Sequence, residues 1–572
     1  MRKGLIALVV FLIAASVMVG CGGAPEKKAV IFKYPIGQDV PTLDPAHITD
    51  TTSSDVGRQM FEGLVCYDGQ LNIIPQLAEK WDISEDGTTY TFHLKDVKFS
   101  NGDSLTADDF KWSFERVLLP NTKSERTWIF DEIVGYDDFK KGMSTEFTGV
   151  KVVDPLTLEV KILAPSGIFL HKMTYSAAWV VNKKVVEAYE NPMELKDEEI
   201  AEGEKAEEKP VEEKKEETTT EGKKPGQWFE YEPVGTGAFK LVEWKRGQNL
   251  VMERNDDWWG YKDEKVVDGY DSITNIEFPI IQDDNVRMQE YKAGNLDWVQ
   301  IPDADFPTVK EDPVLSMEML SVEELSIYYI GFQNKLPPFD NVKVRQAFNY
   351  AVNRQDIIDK IFIGRHKLAT GIIPPSMPNF KSKTDAYPYD PVMAKNLLDE
   401  AKKEGAVIPD KVTLAFNQGT VTHKNVAERI QSDLKANLDV NVVLETEDWT
   451  TYLKHLDNGE FPLFRLGWVA DYPDPDNFLW VLLDSANAGP NGGASFYSNP
   501  AFDKLVRDAK TEKDTAKRMS MYEEAESFAM KDAVWMPIAF TTNWSLLKPW
   551  VTGYIRTPMG PLSFATIQIK AH

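Results

Sequence analysis

Val412-Thr-Leu-Ala-Phe416 opens the stretch that decides the fold. A helix follows from Asn425 to Leu438, then a strand from Val440 to Glu445, a helix from Asp448 to Leu456, and a strand from Phe461 to Val469 that is apolar but for Arg465. Val426, Ile430 and Leu434 recur at helical spacing on one face of the first helix, while the strand segments are short, apolar and rich in β-branched residues. Strand, helix, strand, helix, strand demands a mostly parallel sheet with helices on its faces. In such sheets ligands bind in the crevice beyond the carboxyl ends of the strands. The residues just after Val469 are therefore the first place to look for a site.

That place reads Arg465-Leu-Gly467-Trp468-Val469-Ala-Asp471-Tyr-Pro-Asp474-Pro-Asp476. Charged groups at the end of a buried strand are costly unless they meet partners. A free peptide offers one cation and one anion. Asp471 suits an α-ammonium, Arg465 can hold a carboxylate bidentately, and Trp468 can wall the pocket. Turn chemistry is the competing reading for Asp471, Asp474 and Asp476, since Asp and Pro both favour turns. Three acids also suggest calcium, although the glycine and distal glutamate of an EF-hand loop are missing. On these residues alone the readings stay open.

Upstream, Tyr90, Phe92 and Leu94 alternate with Thr89, Thr91 and His93, the pattern of a half-buried strand. Asn101-Gly102 turns the chain, and Thr106-Ala-Asp-Asp109 resembles a capping box ahead of Phe110, Phe114, Val117 and Leu118. Gly235-Thr-Gly237 is too short to cradle a pyrophosphate and reads as a tight backbone passage before a strand from Ala238 to Val242. From Glu194 to Lys224 there are 13 Asp/Glu and 7 Lys/Arg with almost no apolar residues, a solvated insertion.

At the N-terminus, Arg2 and Lys3 precede an apolar run from Gly4 to Val19, the shape of a secretory signal over residues 1–20. Met18-Val-Gly-Cys21 resembles a bacterial lipobox, in which Cys21 is lipidated and becomes the new terminus; two or more acyl chains hold a protein stably at a membrane. The other cysteine, Cys66, then has no disulfide partner and reads as a small buried hydrophobe. Fifteen Trp, 20 Tyr and 29 Phe supply large cores with aromatic surface to spare. The formal charge of −26 argues against nucleic acid. The seven histidines show no metal-ligand spacing, and nucleophile-elbow, phosphate-loop and dinucleotide motifs are missing. Nothing here supports catalysis, a metal or a cofactor.

Collinear motifs carry a resemblance. They are Pro41-Thr-Leu-Asp-Pro45, Leu77-Ala-Glu-Lys-Trp81, Phe99-Ser-Asn-Gly-Asp103, Pro233-Val-Gly-Thr-Gly237, Glu253-Arg-Asn255, Phe339-Asp-Asn-Val-Lys-Val-Arg-Gln-Ala347 and Gly467-Trp-Val-Ala-Asp-Tyr-Pro-Asp-Pro475. From about Ile31 to its end the chain resembles the family 5 extracellular solute-binding proteins, the dipeptide- and oligopeptide-binding components of ABC importers. The resemblance implies an α/β, two-lobed periplasmic-binding-protein-like fold of type II with an extra inserted subdomain. It places one lobe's core at 24–61, 226–326 and 543–572, the inserted subdomain at 62–225 and the second lobe at 327–542.

The resemblance further implies that Asp471 pairs with a peptide's α-ammonium and Arg465 receives its carboxylate. Backbone groups at Gly467, Val469, Thr49 and Thr51 would pair with the peptide main chain as an added strand does. It implies a monomeric, lipid-anchored receptor on the outer side of the cytoplasmic membrane or in the periplasm, whose partners are short peptides and the permease. Members of this fold also carry nickel complexes, haem or oligosaccharides, so an oligosaccharide or other small solute is the alternative. Trp258-Trp259 hints at sugar stacking but matches a structural motif of the family. An envelope hydrolase is the reading from another class.

Overall fold

The computed structural model describes residues 29–190 and 228–572, apart from Ala386, Asn491 and Lys513. Cys21, the signal segment and the acidic stretch 194–224 lie outside the described residues.

The run from Val412 to Val469 folds as strand Val412–Asn417, helix Val421–Leu438, strand Val442–Glu447, helix Trp449–Asp457 and strand Leu463–Val469. Local chemistry sets the helix starts: the Thr420 hydroxyl accepts from Thr422 N–H at 3.2 Å, and Asp448 from Thr451 N–H at 3.1 Å. Val426, Ile430 and Leu434 are buried and pack with Phe348, Leu414 and Leu463 in one hydrophobic core.

The sheet corrects one expectation, because it is mixed and not mostly parallel. Val412–Asn417 runs parallel to both Val442–Glu447 and Leu463–Val469. Beyond it, Leu463–Val469 pairs antiparallel with Met319–Phe332, that strand with Trp535–Leu547, and that one with Trp298–Gln300. Helical crossovers enforce parallel pairing only where they exist, between residues 412 and 469; strands arriving from distant parts of the chain are free to run the other way.

The two long strands, Met319–Phe332 and Trp535–Leu547, lie beside Trp298–Gln300 at one end and Leu463–Val469 at the other. Their pairing slips between Glu323 and Ile327 and again between Tyr328 and Tyr329. The boundaries expected at 326/327 and 542/543 fall within these strands.

Away from this sheet, Ile31–Lys33, Asn275–Pro279, Asn249–Arg254 and Phe239–Lys245 form a four-stranded sheet, and Ala78–Ile83, Thr89–Leu94, Thr157–Lys161 and Val150–Asp154 another. Tyr90, Phe92 and Leu94 are buried, as their alternation predicts. At the helix Ala107–Leu118, the Asp109 carboxylate accepts from both Thr106 N–H and Thr106 hydroxyl at 2.9 Å. Gly235 and Gly237 pass against the Met60 peptide: a Cβ at Gly237 would lie 2.6 Å from the Met60 carbonyl carbon, so only glycine fits.

Candidate functional site

Strand Leu463–Val469 has an open edge. Its parallel partner is in register only at Leu463 and Phe464, so from Arg465 onward that side of the strand is unpaired. Ala470 N–H donates to Leu325 C=O at 2.8 Å, which fixes the alternation: 466, 468 and 470 face the antiparallel neighbour, whereas 465, 467 and 469 face the opposite side. The Arg465 carbonyl is taken by Tyr452 Oη at 2.6 Å. The N–H and C=O groups of Gly467 and Val469 therefore point along the open edge. Beside it lies a cavity of about 1210 Å³, lined by Gly467 and Val469 together with Arg465, Trp468, Asp471, Thr49 and Thr51.

The turn and the calcium readings sort themselves by geometry. Asp474 is bound by Arg518 at 2.7 Å, and Asp476 accepts from Tyr472 and Tyr522 at 2.6 and 3.0 Å, so both brace the loop. Among the described residues no acidic, histidine or cysteine group forms a metal-binding cluster. Asp471, alone of the three acids, lines the cavity. Asn477 holds it, receiving Asp471 N–H and Trp468 Nε1–H on one oxygen at 2.9 and 2.8 Å and donating to Asp471 Oδ2 at 3.1 Å. Burial pushes the Asp471 carboxyl up to about 6, against Arg126 and Asn477, which favour its ionised form.

At the other end of the open edge, Arg465 donates to Asn417 Oδ1 at 3.1 Å and lies 4.2 Å over the Tyr328 ring. Its Nε is buried without a partner, and among the described residues no carboxylate pairs with it. Burial and the adjacent Arg465 charge hold His423 well below the usual imidazole range, hence neutral. A cation without a counter-ion and an anion with one free oxygen thus flank the open edge.

Thr49 and Thr51 lie across the cavity. Thr51 begins the helix Thr51–Gly57, and the Thr49 carbonyl accepts from Arg126 at 3.3 Å. Cys66 departs from expectation: it is half-buried in the cavity wall, its thiol pushed up to about 12 by burial and Glu62. Trp258 and Trp259 also line the cavity, yet their indole N–H groups are committed to the buried Glu62 at 3.1 and 3.2 Å.

Sequence reasoning missed Glu125, Arg126, Tyr175 and Asp457, which also line the cavity. Burial and Glu125 push Asp457 up to about 7. No local motif marks these residues, because they meet only where distant segments face each other.

The model of the bacterial extracellular solute-binding proteins, family 5 (middle), matches residues 72–490. The chain belongs to that family. Two relatives are each 30% identical to it. One is the periplasmic oligopeptide-binding protein OppA of Escherichia coli, aligned over 95% of this chain and 92% of its own. The other is the heme-binding protein A of Haemophilus influenzae, over 94% and 91%.

Among solved structures, the E. coli murein tripeptide-binding protein MppA is 26% identical and superposes with a TM-score of 0.81 over 96% of this chain and 99% of its own; its unliganded open form gives 0.62. Family 5 proteins are two-lobed extracytoplasmic receptors, not enzymes. Among the described residues no helix is long and apolar enough to cross a membrane.

Proposed function

We propose that this protein captures short peptides between its lobes as an added strand and delivers them to the permease of an ABC importer. It does so from the outer side of the cytoplasmic membrane or the periplasm, held there by a lipidated Cys21. The observation that carries the reading is the open edge of Leu463–Val469, with unpaired Arg465 at one end and Asp471 at the other. Asp471 takes the α-ammonium, Arg465 the carboxylate, and the backbones of Gly467, Val469, Thr49 and Thr51 the main chain; Trp468 forms a wall.

Six residues of strand span about 20 Å, and an extended peptide covers roughly 3.3–3.6 Å per residue. A ligand of about four to six residues fits. Closure is a hinge motion of the 327–542 lobe against 24–61, 226–326 and 543–572 with the 62–225 insertion, through the two long strands. Burial between lobes desolvates the Asp471 pair and strengthens it beyond a surface ion pair.

Calorimetry with free and N-acetylated peptides tests the anchor. Free peptides should bind at least a hundredfold tighter, and Asp471→Asn should abolish the difference, because a buried charge that loses its partner costs about 3–5 kcal/mol. Equal binding of both peptides removes Asp471 from this role. Native mass spectrometry of the freshly purified protein identifies the retained ligand by mass, separating a peptide from haem or an oligosaccharide, and an intact from a hydrolysed one.

A further inference from the structure

Arg126 is 4% exposed yet lines the ligand cavity. Its Nε donates to Tyr175 Oη at 3.0 Å, its Nη2 to the Thr49 carbonyl at 3.3 Å, and its Nη1 to the Pro490 carbonyl at 3.4 Å. Three separate stretches of chain thus fix the guanidinium, and Pro490 reaches it from across the cleft. All three acceptors are neutral. The anions within its electrostatic reach are Asp471, Asp457, Asp50 and the adjoining Glu125.

We propose that Arg126 is a positioning residue for the ammonium anchor: held by neutral acceptors from three stretches of chain, it presents a fixed positive charge toward Asp471 across the shared cavity and keeps that carboxylate ionised for an incoming ammonium. The inference rests on the reading of Asp471 as the ammonium site. The groups facing Asp471 support it. Tyr175 and Tyr67 bring hydroxyls whose ionisation burial suppresses. Asp474, on the same loop, is already matched by Arg518. Asp50 caps the helix Thr51–Gly57 from the opposite wall. Within this set Arg126 is the cation that favours the Asp471 carboxylate.

A positive charge beside an ammonium site acts in two opposing ways. It keeps the proton off Asp471, which helps binding at low pH, and it repels the incoming ammonium, which hinders binding once Asp471 is ionised anyway. Loss of the charge therefore makes the affinity–pH curves of variant and wild type cross. Mere structural damage weakens binding at every pH.

The experiment is calorimetric titration of tetra-alanine into the full mature chain between pH 5 and 9, for wild type, Arg126→Gln and Arg126→Lys. Wild-type affinity should fall about tenfold per pH unit below a midpoint near 6. The Gln variant keeps amide donors for Tyr175 and Thr49; its midpoint should rise by about one pH unit, with affinity at pH 8.5 equal to or tighter than wild type. The Lys variant should keep the wild-type midpoint. An unmoved Gln midpoint, a uniform loss across pH, or a Lys midpoint displaced as far as that of Gln overturns the role. Should the Gln variant fail to fold, Arg126→Met decides: it removes the charge and keeps the aliphatic stem, so the midpoint should rise as for Gln, and a wild-type midpoint there overturns the role. N-acetylated tetra-alanine separates the two readings. If wild type binds it as well as the free peptide, the peptide reading fails; if wild type discriminates and the Gln midpoint stays put, only the role of Arg126 fails.

Discussion

Asp457 closes the helix Trp449–Asp457 and faces the cavity with no hydrogen-bond partner for its carboxylate among the described residues. Burial and Glu125 raise it to about 7, whereas an unfolded aspartate titrates near 3.8. A raised carboxylate binds its proton more tightly in the folded state, so its ionisation costs stability as pH rises from about 4 to 7. Asp457→Asn should therefore stabilise the ligand-free protein by on the order of 2 kcal/mol at pH 8 and leave it unchanged at pH 4. Thermal melts at the two pH values check this; an equal gain at both would mean that the carboxylate carries no such cost. Residues of this kind were not legible in the sequence. Asp471 and Arg465 line the cavity where the strand pattern placed them, Arg465 within Leu463–Val469 and Asp471 two residues beyond its end. Arg126 and Pro490 meet across 364 positions, and no local pattern announces such a meeting.

The elements between 412 and 469 were legible to within a few residues because their apolar spacing is local and each helix has a polar starter, Thr420 or Asp448. The long antiparallel strands were not, since their partners lie two hundred residues away and neither contributes a turn or crossover to read. The helix Val421–Leu438 gains its stability from the buried stripe that ends on Leu438, not from propensity. Ile430→Ala should cost about 2–5 kcal/mol in denaturant unfolding, because the rigid sheet beneath cannot collapse into the space. A loss below 1 kcal/mol would show that the helix is loosely seated. The same sheet presents the open edge, so binding should weaken only in proportion to the unfolded fraction.

At the scale of the whole molecule, a second contact joins residues far apart in the chain, across the lobe boundary proposed above. Asp131 accepts from Lys172 at 2.5 Å and from Lys510 at 2.7 Å, while Lys510 lies 3.4 Å over the Trp480 ring and Trp128 meets Trp480 edge-on at 5.9 Å. Trp480 belongs to the helix Asp476–Leu483, which also carries Asn477, the holder of Asp471. The proposed ligand anchor and this contact thus share one helix. Lys510→Met leaves Asp131 paired with Lys172, so the fold should survive, while ligand dissociation in stopped-flow displacement should quicken about tenfold with little change in association. Unchanged dissociation would show that this contact does not hold the lobes together. The open edge of Leu463–Val469 has a further consequence. An unsatisfied row of backbone amides is a template on which any extended chain can assemble, and free sheet edges are where proteins aggregate. Here the edge is recessed in a cleft that the second jaw covers, so partly unfolded neighbours are kept from adding to it. On the proposed reading, the receptor's appetite for backbone is thereby confined to chains small enough to be swallowed whole.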